Sequence, residues 1–586
     1  MSTVIPLATV LEEHVRQAMA GALPAEADGA DPLIRPSEHA DFQANGMLPL
    51  AKRLRANPRE LAGNVASALA ADSMIASCEA SGPGFLNLSL ADTAIWQQLG
   101  RRLDDGRLGV PVTDAGNVTV IDYSQPNLAK EMHVGHLRST VIGDSLTRIL
   151  EFDGAKVIRQ NHLGDWGTQF GMLIEHLIEH PELQGARAGE SGEEAISRLN
   201  ELYRDARAQF DSDPAFADRA RQRVVELQAG DPATLASWEA IVAESKIYFG
   251  AVYDRLDVLL TDDDLVGESF YNPFLQGVAA DLERRGIAVR DNGALCVFFD
   301  GIVGPNGNPV PLIIQKSDGG FGYAATDLAA IRYRAETLGA QLILYVVDQR
   351  QALHFRMVFE TARRAGYLPD GVQAVHVAFG TVLGPDGRPF KTRSGDTVRL
   401  ISLLDEAVER ARATIVEKSP DFSPEMLGRR SEEVGIGALK YADLSTNRGR
   451  DYTFDLDRMV SLNGDTGVYL QYAHARIRSI LRRVPGEGTP VIHQHQALEP
   501  AERRLLLLLD GFSAVLASVR ESFEPHRLCG YLHSLAQAFA DFYEACPVLR
   551  AADEPTRDNR VAICQLAGDT LKTGLGLLGI AAPDQL

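Results

Sequence analysis

Apolar positions change period along this chain, and the changes mark its elements. Residues 118–123, Val-Thr-Val-Ile-Asp-Tyr, are β-branched and apolar and predict a buried strand. Pro126 and Asn127 interrupt it, and Leu137, Val141, Ile142, Leu146, Ile149 and Leu150 then recur at helical spacing as far as Gly154. Further strand candidates fall at 157–160, 342–347 and 372–379. Their alternation with helical patterns from residue 117 to about 400 predicts a doubly wound parallel sheet. A helical region rich in charge and alanine, about 172–285, interrupts it. Residues 1 to about 110 read as an α+β unit, with helical patterns at 4–20 and 47–71 and a strand at 84–90, before a linker at 111–116. After residue 400 the chain reads almost wholly helical, with strong apolar stretches at 505–509 and 532–540 that suit a bundle. The chain is therefore a multidomain α/β protein.

Composition adds limits. At 586 residues and 45% hydrophobic, the chain holds enough apolar material for several cores. Its five cysteines are scattered without Cys-x-x-Cys spacing, which suggests neither a zinc site nor a disulfide framework and fits a reducing cytoplasm. Residues 7–16 alternate apolar and charged positions, unlike a signal peptide, and no segment is long and apolar enough to predict a membrane span. The net charge of −21 sits badly with nucleic-acid binding, which relies on releasing counterions to cationic side chains. Net charge does not locate patches, however. Arg476, Arg478, Arg482 and Arg483 share one predicted helix, a stripe that could track a phosphate backbone or form an ordinary solvated face.

Candidate chemistry concentrates where the first strand feeds the first helix. His133-Val-Gly-His136 opens that helix, whose unpaired N–H groups and positive dipole end suit phosphates, and Gly135 admits a close ligand. Two satisfied surface histidines would look the same. Gly164, Asp165, Trp166 and Gly167 follow a strand end, where α/β proteins place ligands, although a tight turn alone explains the glycines. Asp122 ends the first strand, and four-residue spacing puts Tyr323 and Asp327 on one helical face. A strand-end cap and a solvated helix charge are equally good accounts of the two acids.

The words around these residues resemble the arginyl-tRNA synthetases of the bacterial kind, a family of class I aminoacyl-tRNA synthetases. The resemblance rests on residues 122–140, 161–171, 323–327, 470–476 and 571–575, and so spans nearly the whole chain. It implies a Rossmann-type catalytic domain at 117–400 with a helical insertion, an N-terminal tRNA-contacting domain at 1–110, a linking region at 401–455 and a helical anticodon-binding domain at 456–586. It implies activation of L-arginine with ATP, then transfer to the arginine tRNA. Magnesium would arrive with ATP, and neither a protein metal site, DNA binding nor a membrane is expected. The enzyme reads as a cytoplasmic monomer.

The same resemblance assigns roles. Lys130, His133, His136 and Lys391 would act in catalysis, with His133, Gly135, His136, His162, Gly164 and Asp165 about ATP. Asp122, Ser124, Asn127, Tyr323, Asp327 and Gln351 would hold arginine, carboxylates being the natural acceptors for a guanidinium, with Gln349 as the alternative to Gln351. Phe85, Asn87, Arg476, Arg478 and Arg482 would contact tRNA. The usual Lys-Met-Ser-Lys-Ser loop is degenerate here: Lys391, Arg393 and Ser394 align loosely, and Gly395 stands near the second lysine. Lys130 would be the compensating cation. A synthetase for another amino acid and a catalytically silent tRNA-binding relative are the competing readings; two acidic pocket candidates argue against the first, and both histidines with Lys130 against the second.

Overall fold

The computed structural model describes residues 4–183, 192–304, 306–390, 398–418, 421–484 and 490–586. Residues 34–90 build a four-stranded sheet from Ile34–Pro36 (β1), Phe42–Ala44 (β2), Ile75–Ser81 (β3) and Phe85–Leu90 (β4), in the order β1-β2-β4-β3. All its pairings are antiparallel. Only β4 was legible in the sequence, because Leu86, Leu88 and Leu90 point inward with clean alternation while the three partner strands are short or largely exposed. Helices Leu7–Ala22, Met47–Leu54 and Pro58–Leu69 accompany the sheet.

The central sheet is parallel, as the alternating pattern requires. Its strands are Val118–Asp122 (β5), Lys156–Leu163 (β6) and Leu265–Gly267 (β7), followed later in the chain by two more. Between β7 and those two lies a three-stranded antiparallel sheet of Val289–Asp291 (β8), Ala294–Val297 (β9) and Leu312–Gln315 (β10), which the sequence pattern does not reveal. Leu342–Tyr345 (β11) and Gln373–His376 (β12) complete the central order β12-β11-β5-β6-β7. Both faces are covered, so neighbouring residues enter different cores. Ile121 and Leu344 join a large core with the C-terminal helices, whereas Val120, Ile343 and Tyr345 face helices Asn272–Arg284, Tyr323–Arg332 and Ala352–Arg364. That two-sided burial is why these strands read as continuous apolar runs.

The segment expected as a helical insertion contains helices Gly192–Ser212, Pro214–Ala229 and Pro232–Leu256, and it also contributes β7. Beyond residue 400 the described residues form helices joined by loops, with the short strand Tyr452–Thr453 among them, and the last helix is Glu554–Leu577. Among the described residues, no helix is long and apolar enough to cross a membrane.

One glycine sets how closely the first crossover helix approaches its strand. Helix Val134–Phe152 lies over β5, and a Cβ on Gly143 would come within 2.2 Å of the Tyr123 ring, itself fully buried. Gly143→Ala should therefore destabilise the catalytic core by about 1–3 kcal/mol, the usual cost of overpacking. The measurement is the thermal midpoint by circular dichroism; an unchanged midpoint would mean that ring and helix have room to separate.

Candidate active site

The loop from β5 to helix Val134–Phe152 is held in an unusual backbone. Ser124, Gln125 and Ala129 all have positive φ, at 77°, 50° and 58°, a region that costs side-chain-bearing residues energy and that local sequence does not announce. Side chains hold it there. The Ser124 amide donates to Ser139 Oγ at 2.8 Å, and the Gln125 amide donates to Asn161 Oδ1 at 2.8 Å. The loop also adjoins the turn after β6: the Leu128 amide donates to the Gly164 carbonyl, and a Cβ on Gly164 would meet Asn127 Oδ1 at 2.3 Å. Asn127 and Gly164, far apart in sequence, thus form one wall, and the glycine is there for close approach.

His133 is the N-cap of the helix. Its Nδ1 accepts the Gly135 amide at 3.0 Å, while His136 Nδ1 accepts the His133 amide at 3.0 Å. An Nδ1 that accepts leaves the proton of a neutral imidazole on Nε2, so both rings have an Nε2–H left to donate. The rings lie 4.0 Å apart. Burial, with the nearby Arg350 charge, lowers the pKa of His133, and burial with His133 pushes that of His136 down to about 3. The pair is therefore neutral at pH 7, and its tautomers are set by the backbone of its own helix.

Beside this helix start, the carboxylates divide into those already paired and those facing open space. Asp122 is 2% exposed and paired: Oδ2 accepts from Arg334 at 2.7 Å, and Oδ1 accepts from Gln125 Nε2 at 2.7 Å. The expectation that it is free to receive a guanidinium meets an arginine of the chain itself. Arg334 arrives from Tyr333–Thr337, a π-helical turn that extends helix Tyr323–Arg332, a wide turn that sequence spacing does not show. Ser124 is likewise turned inward, its hydroxyl bonded to Tyr253 and Thr140. Asp165 accepts the Ser269 amide and hydroxyl, so it caps a protein turn.

That turn delivers the residue which sequence reading missed. Glu268 lines a cavity of about 600 Å³ with Trp166, Lys316, Tyr323 and Thr326. Its pKa is pushed up to about 8 by burial and by the charges of Asp165 and Asp327. Nothing in its local sequence, Gly-Glu-Ser-Phe, marks it; the Asp165 to Ser269 contact is tertiary and helps bring it to the cavity. Tyr323 is 74% exposed at the start of its helix. One turn on, Asp327 Oδ2 accepts from His354 Nε2 at 2.6 Å. His162 stacks on Tyr271 at 5.8 Å. Gln349 and Gln351 both lie exposed in one short 3₁₀ turn, so the alternative between them stays open.

Lys130 places its Nζ 4.4 Å above the Tyr203 ring in the insertion. Lys391 lies outside the described residues, with Arg393, Ser394 and Gly395. Among the described residues, no group of three His, Cys, Asp or Glu side chains could hold a metal ion.

The expected tRNA-contacting residues lie on two elements, strand β4 and helix Gly467–Leu481 with its C-cap. Phe85 and Asn87 lie on the half-exposed face of β4, and Asn87 Oδ1 accepts from Gln43 Nε2 at 2.8 Å. On helix Gly467–Leu481 the arginine stripe splits. Arg476 lies against the rings of Tyr472 and Tyr543, which are 40% and 41% exposed, whereas Arg478 pairs with Asp584 and Arg482 donates to the Asp584 carbonyl.

Comparison with known proteins agrees along the whole length. Residues 101–456 match the catalytic domain of class I tRNA synthetases for arginine, residues 9–90 the arginyl-tRNA synthetase N-terminal domain, and residues 470–586 the DALR anticodon-binding domain. The chain is 58% identical over 587 residues to the arginine–tRNA ligase of Frankia casuarinae, covering 100% of this chain and 99% of that one. To the arginine–tRNA ligase of Streptomyces avermitilis it is 56% identical over 592 residues, with full coverage of both. Among solved structures, the arginyl-tRNA synthetase of Plasmodium falciparum superposes with a TM-score of 0.83 at 27% identity and full coverage of both chains. That of Thermus thermophilus gives 0.81 at 26%, covering 99% of this chain and 100% of that one. With two histidines at a helix start, a cavity lined by Glu268 and all three domain models in order, the chain belongs to the arginyl-tRNA synthetases, class I enzymes that join arginine to its tRNA with ATP.

Proposed function

We propose that the cavity lined by Glu268, Tyr323 and Thr326 is the arginine pocket, with Glu268 and the neighbouring Asp327 as its guanidinium acceptors and Asp122 as a support. The observation that carries this is the position of Glu268 in the lining of that cavity, where burial and the charges of Asp165 and Asp327 push its pKa up to about 8, so that its carboxylate form calls for a cation. A guanidinium supplies one and fits two carboxylates with its planar fork. Asn127, with Gln351, would hold the α-amino and carboxylate end. Arginine's carboxylate oxygen attacks the α-phosphorus of ATP, the bond to the bridging oxygen breaks, and pyrophosphate leaves with that electron pair. Nε2–H of His133 and of His136 donate to the phosphates, where negative charge shifts as the bond breaks, and Lys130 adds a cation. Magnesium comes with ATP. A ribose hydroxyl of the terminal tRNA adenosine then attacks the acyl carbon, the bond from that carbon to the phosphate oxygen breaks, AMP leaves with its electron pair, and the hydroxyl proton is released. The enzyme works as a monomer in the cytoplasm, and its free, mostly buried cysteines support that compartment.

At the anticodon end, Arg476 with Tyr472 and Tyr543 offers a cation between two half-open rings, the arrangement on which unpaired bases stack. Arg478 and Arg482 instead fasten the chain's own C-terminal residues. Phe85 and Asn87 offer a second contact on the N-terminal sheet.

The pocket assignment has a pH signature. With a pKa near 8, Glu268 is mostly protonated in the empty site at pH 7, and a guanidinium requires its carboxylate, so arginine binding releases a proton. The arginine KM should fall as pH rises from about 6.5 to 8 and level off above. Glu268→Gln should raise that KM roughly tenfold or more and flatten the trend, as pyrophosphate exchange across pH will read. An unaltered KM and slope would take Glu268 out of the pocket.

The histidine assignment makes a separate statement about rate. His136→Ala should slow adenylate formation by about a hundred- to a thousandfold, the scale of losing one preorganised donor, with little change in arginine KM. Because its pKa is about 3, the wild-type rate should show no titration from this ring between about pH 5 and 8. Single-turnover measurement of His136→Ala at near wild-type rate would contradict the role.

For tRNA, Arg476→Glu should weaken binding and reduce the slope of affinity against salt by about one, whereas Arg478→Glu should disturb the C-terminal residues more than the salt slope. Filter binding at several salt concentrations decides between them, and equal slopes for both variants would return the stripe to solvent.

A further inference from the structure

Residues 129–132 lead directly into His133, and each of the four is gripped by a side chain of the helical insertion. Ser245 Oγ accepts the Ala129 amide at 3.1 Å. The Tyr203 ring receives Lys130. Ser197 Oγ donates to Glu131 Oε1 at 2.7 Å, and Asn200 Nδ2 donates to Oε2 at 3.2 Å. Tyr248 OH accepts the Met132 amide at 3.1 Å. Two of the grips are amide bonds that fix the backbone, and one falls on Ala129, whose positive φ would otherwise relax. A helix that merely covered the sheet would not match a strained loop residue by residue.

Glu131 extends this cradle to a third part of the chain. Its Oε2 also pairs with Arg399 Nε at 3.0 Å, and the backbones join beside it: the Val134 amide donates to the Val398 carbonyl, and the Leu400 amide to the Met132 carbonyl. The Glu131 side chain is only 11% exposed, and its carboxylate receives three protein donors from two directions, Ser197 and Asn200 on one side and Arg399 on the other.

We infer that the helical insertion is the template that holds the nucleotide loop in its working conformation, and that Glu131 is a positioning residue which transmits that hold to the His133 N-cap. It touches no substrate. Its effect is exerted through the placement of the two Nε2–H donors, so it acts on the chemical step more than on arginine binding. The inference rests on the reading of His133 and His136 as phosphate donors, and the tests keep the two apart.

The experiment is pyrophosphate exchange by the full-length enzyme carrying Glu131→Ala, Glu131→Gln, the pair Ser197→Ala and Asn200→Ala, and the triple combination. Glu131→Ala should lower kcat roughly tenfold or more and raise the ATP KM, with the arginine KM and the thermal midpoint near wild type. Glu131→Gln, which keeps the shape and loses the charge toward Arg399, should fall between. The Ser197 and Asn200 pair should reproduce part of the loss, and the triple variant should be no worse than Glu131→Ala alone, as members of one contact behave. Additive losses, a normal kcat in Glu131→Ala, or a parallel rise in both KM values would overturn the inference. If Glu131→Ala does not fold, the Ser197 and Asn200 pair carries the test, and a normal kcat there overturns it equally. His136→Ala run alongside separates the failures: a crippled His136→Ala with a normal Glu131→Ala sinks only the template, whereas a normal His136→Ala sinks the donor reading beneath it.

Discussion

The buried ion pair between Asp122 and Arg334 is the constraint around which this catalytic centre is arranged. Its side chains are 3% and 0% exposed, so each charge depends on the other for the solvation that burial removed. The pair joins the carboxyl end of β5 to the π turn after helix Tyr323–Arg332, and Gln160 on β6 takes a second Arg334 donor at 2.7 Å. Three elements therefore meet at one guanidinium. Removing either partner would leave an uncompensated charge in the floor of the site, a much larger cost than any exposed pair could impose.

From that anchor the strained loop follows. Asp122 holds Gln125, Gln125 is also held by Asn161, and Asn161 shares Tyr253 with Ser124. Such a network is valuable only when complete, because a buried polar group without a partner costs more than a satisfied one contributes. Here it keeps Ser124 and Gln125 at positive φ while Ser245 holds Ala129, and the loop so held brings Asn127 against Gly164 and leads to His133 at the helix start. Backbone strain is thus stored where the ligand is expected, with insertion helix Pro232–Leu256 supplying the hydroxyls that stabilise it.

The carboxylates show how one kind of side chain serves opposite ends. Asp165 is buried and satisfied by Ser269, and its work is to set the turn that aims Glu268. Glu268 is half-buried and held among like charges, which keeps it ready for a cation. The arginine stripe divides in the same way: Arg478 and Arg482 close the chain onto Asp584, and Arg476 remains between two open rings.

The sequence by itself determined the parallel sheet, the helix that follows β5, the helical character of the insertion and C-terminal region, and the histidine motif at a helix start. These are local properties, carried by apolar period, by breakers such as Pro126 and by motif words within about twenty residues. It did not disclose β1–β3, β7 or β8–β10, whose strands are short or lack apolar alternation. Nor could it say which carboxylate was free. Asp122 and Glu268 are equally acidic in the sequence, and their roles were decided by what reached them: Arg334, 212 positions away, neutralises the first, while Asp165 and Asp327 surround the second with like charge. Pairing and desolvation depend on distance in space, and only the tertiary structure fixes that.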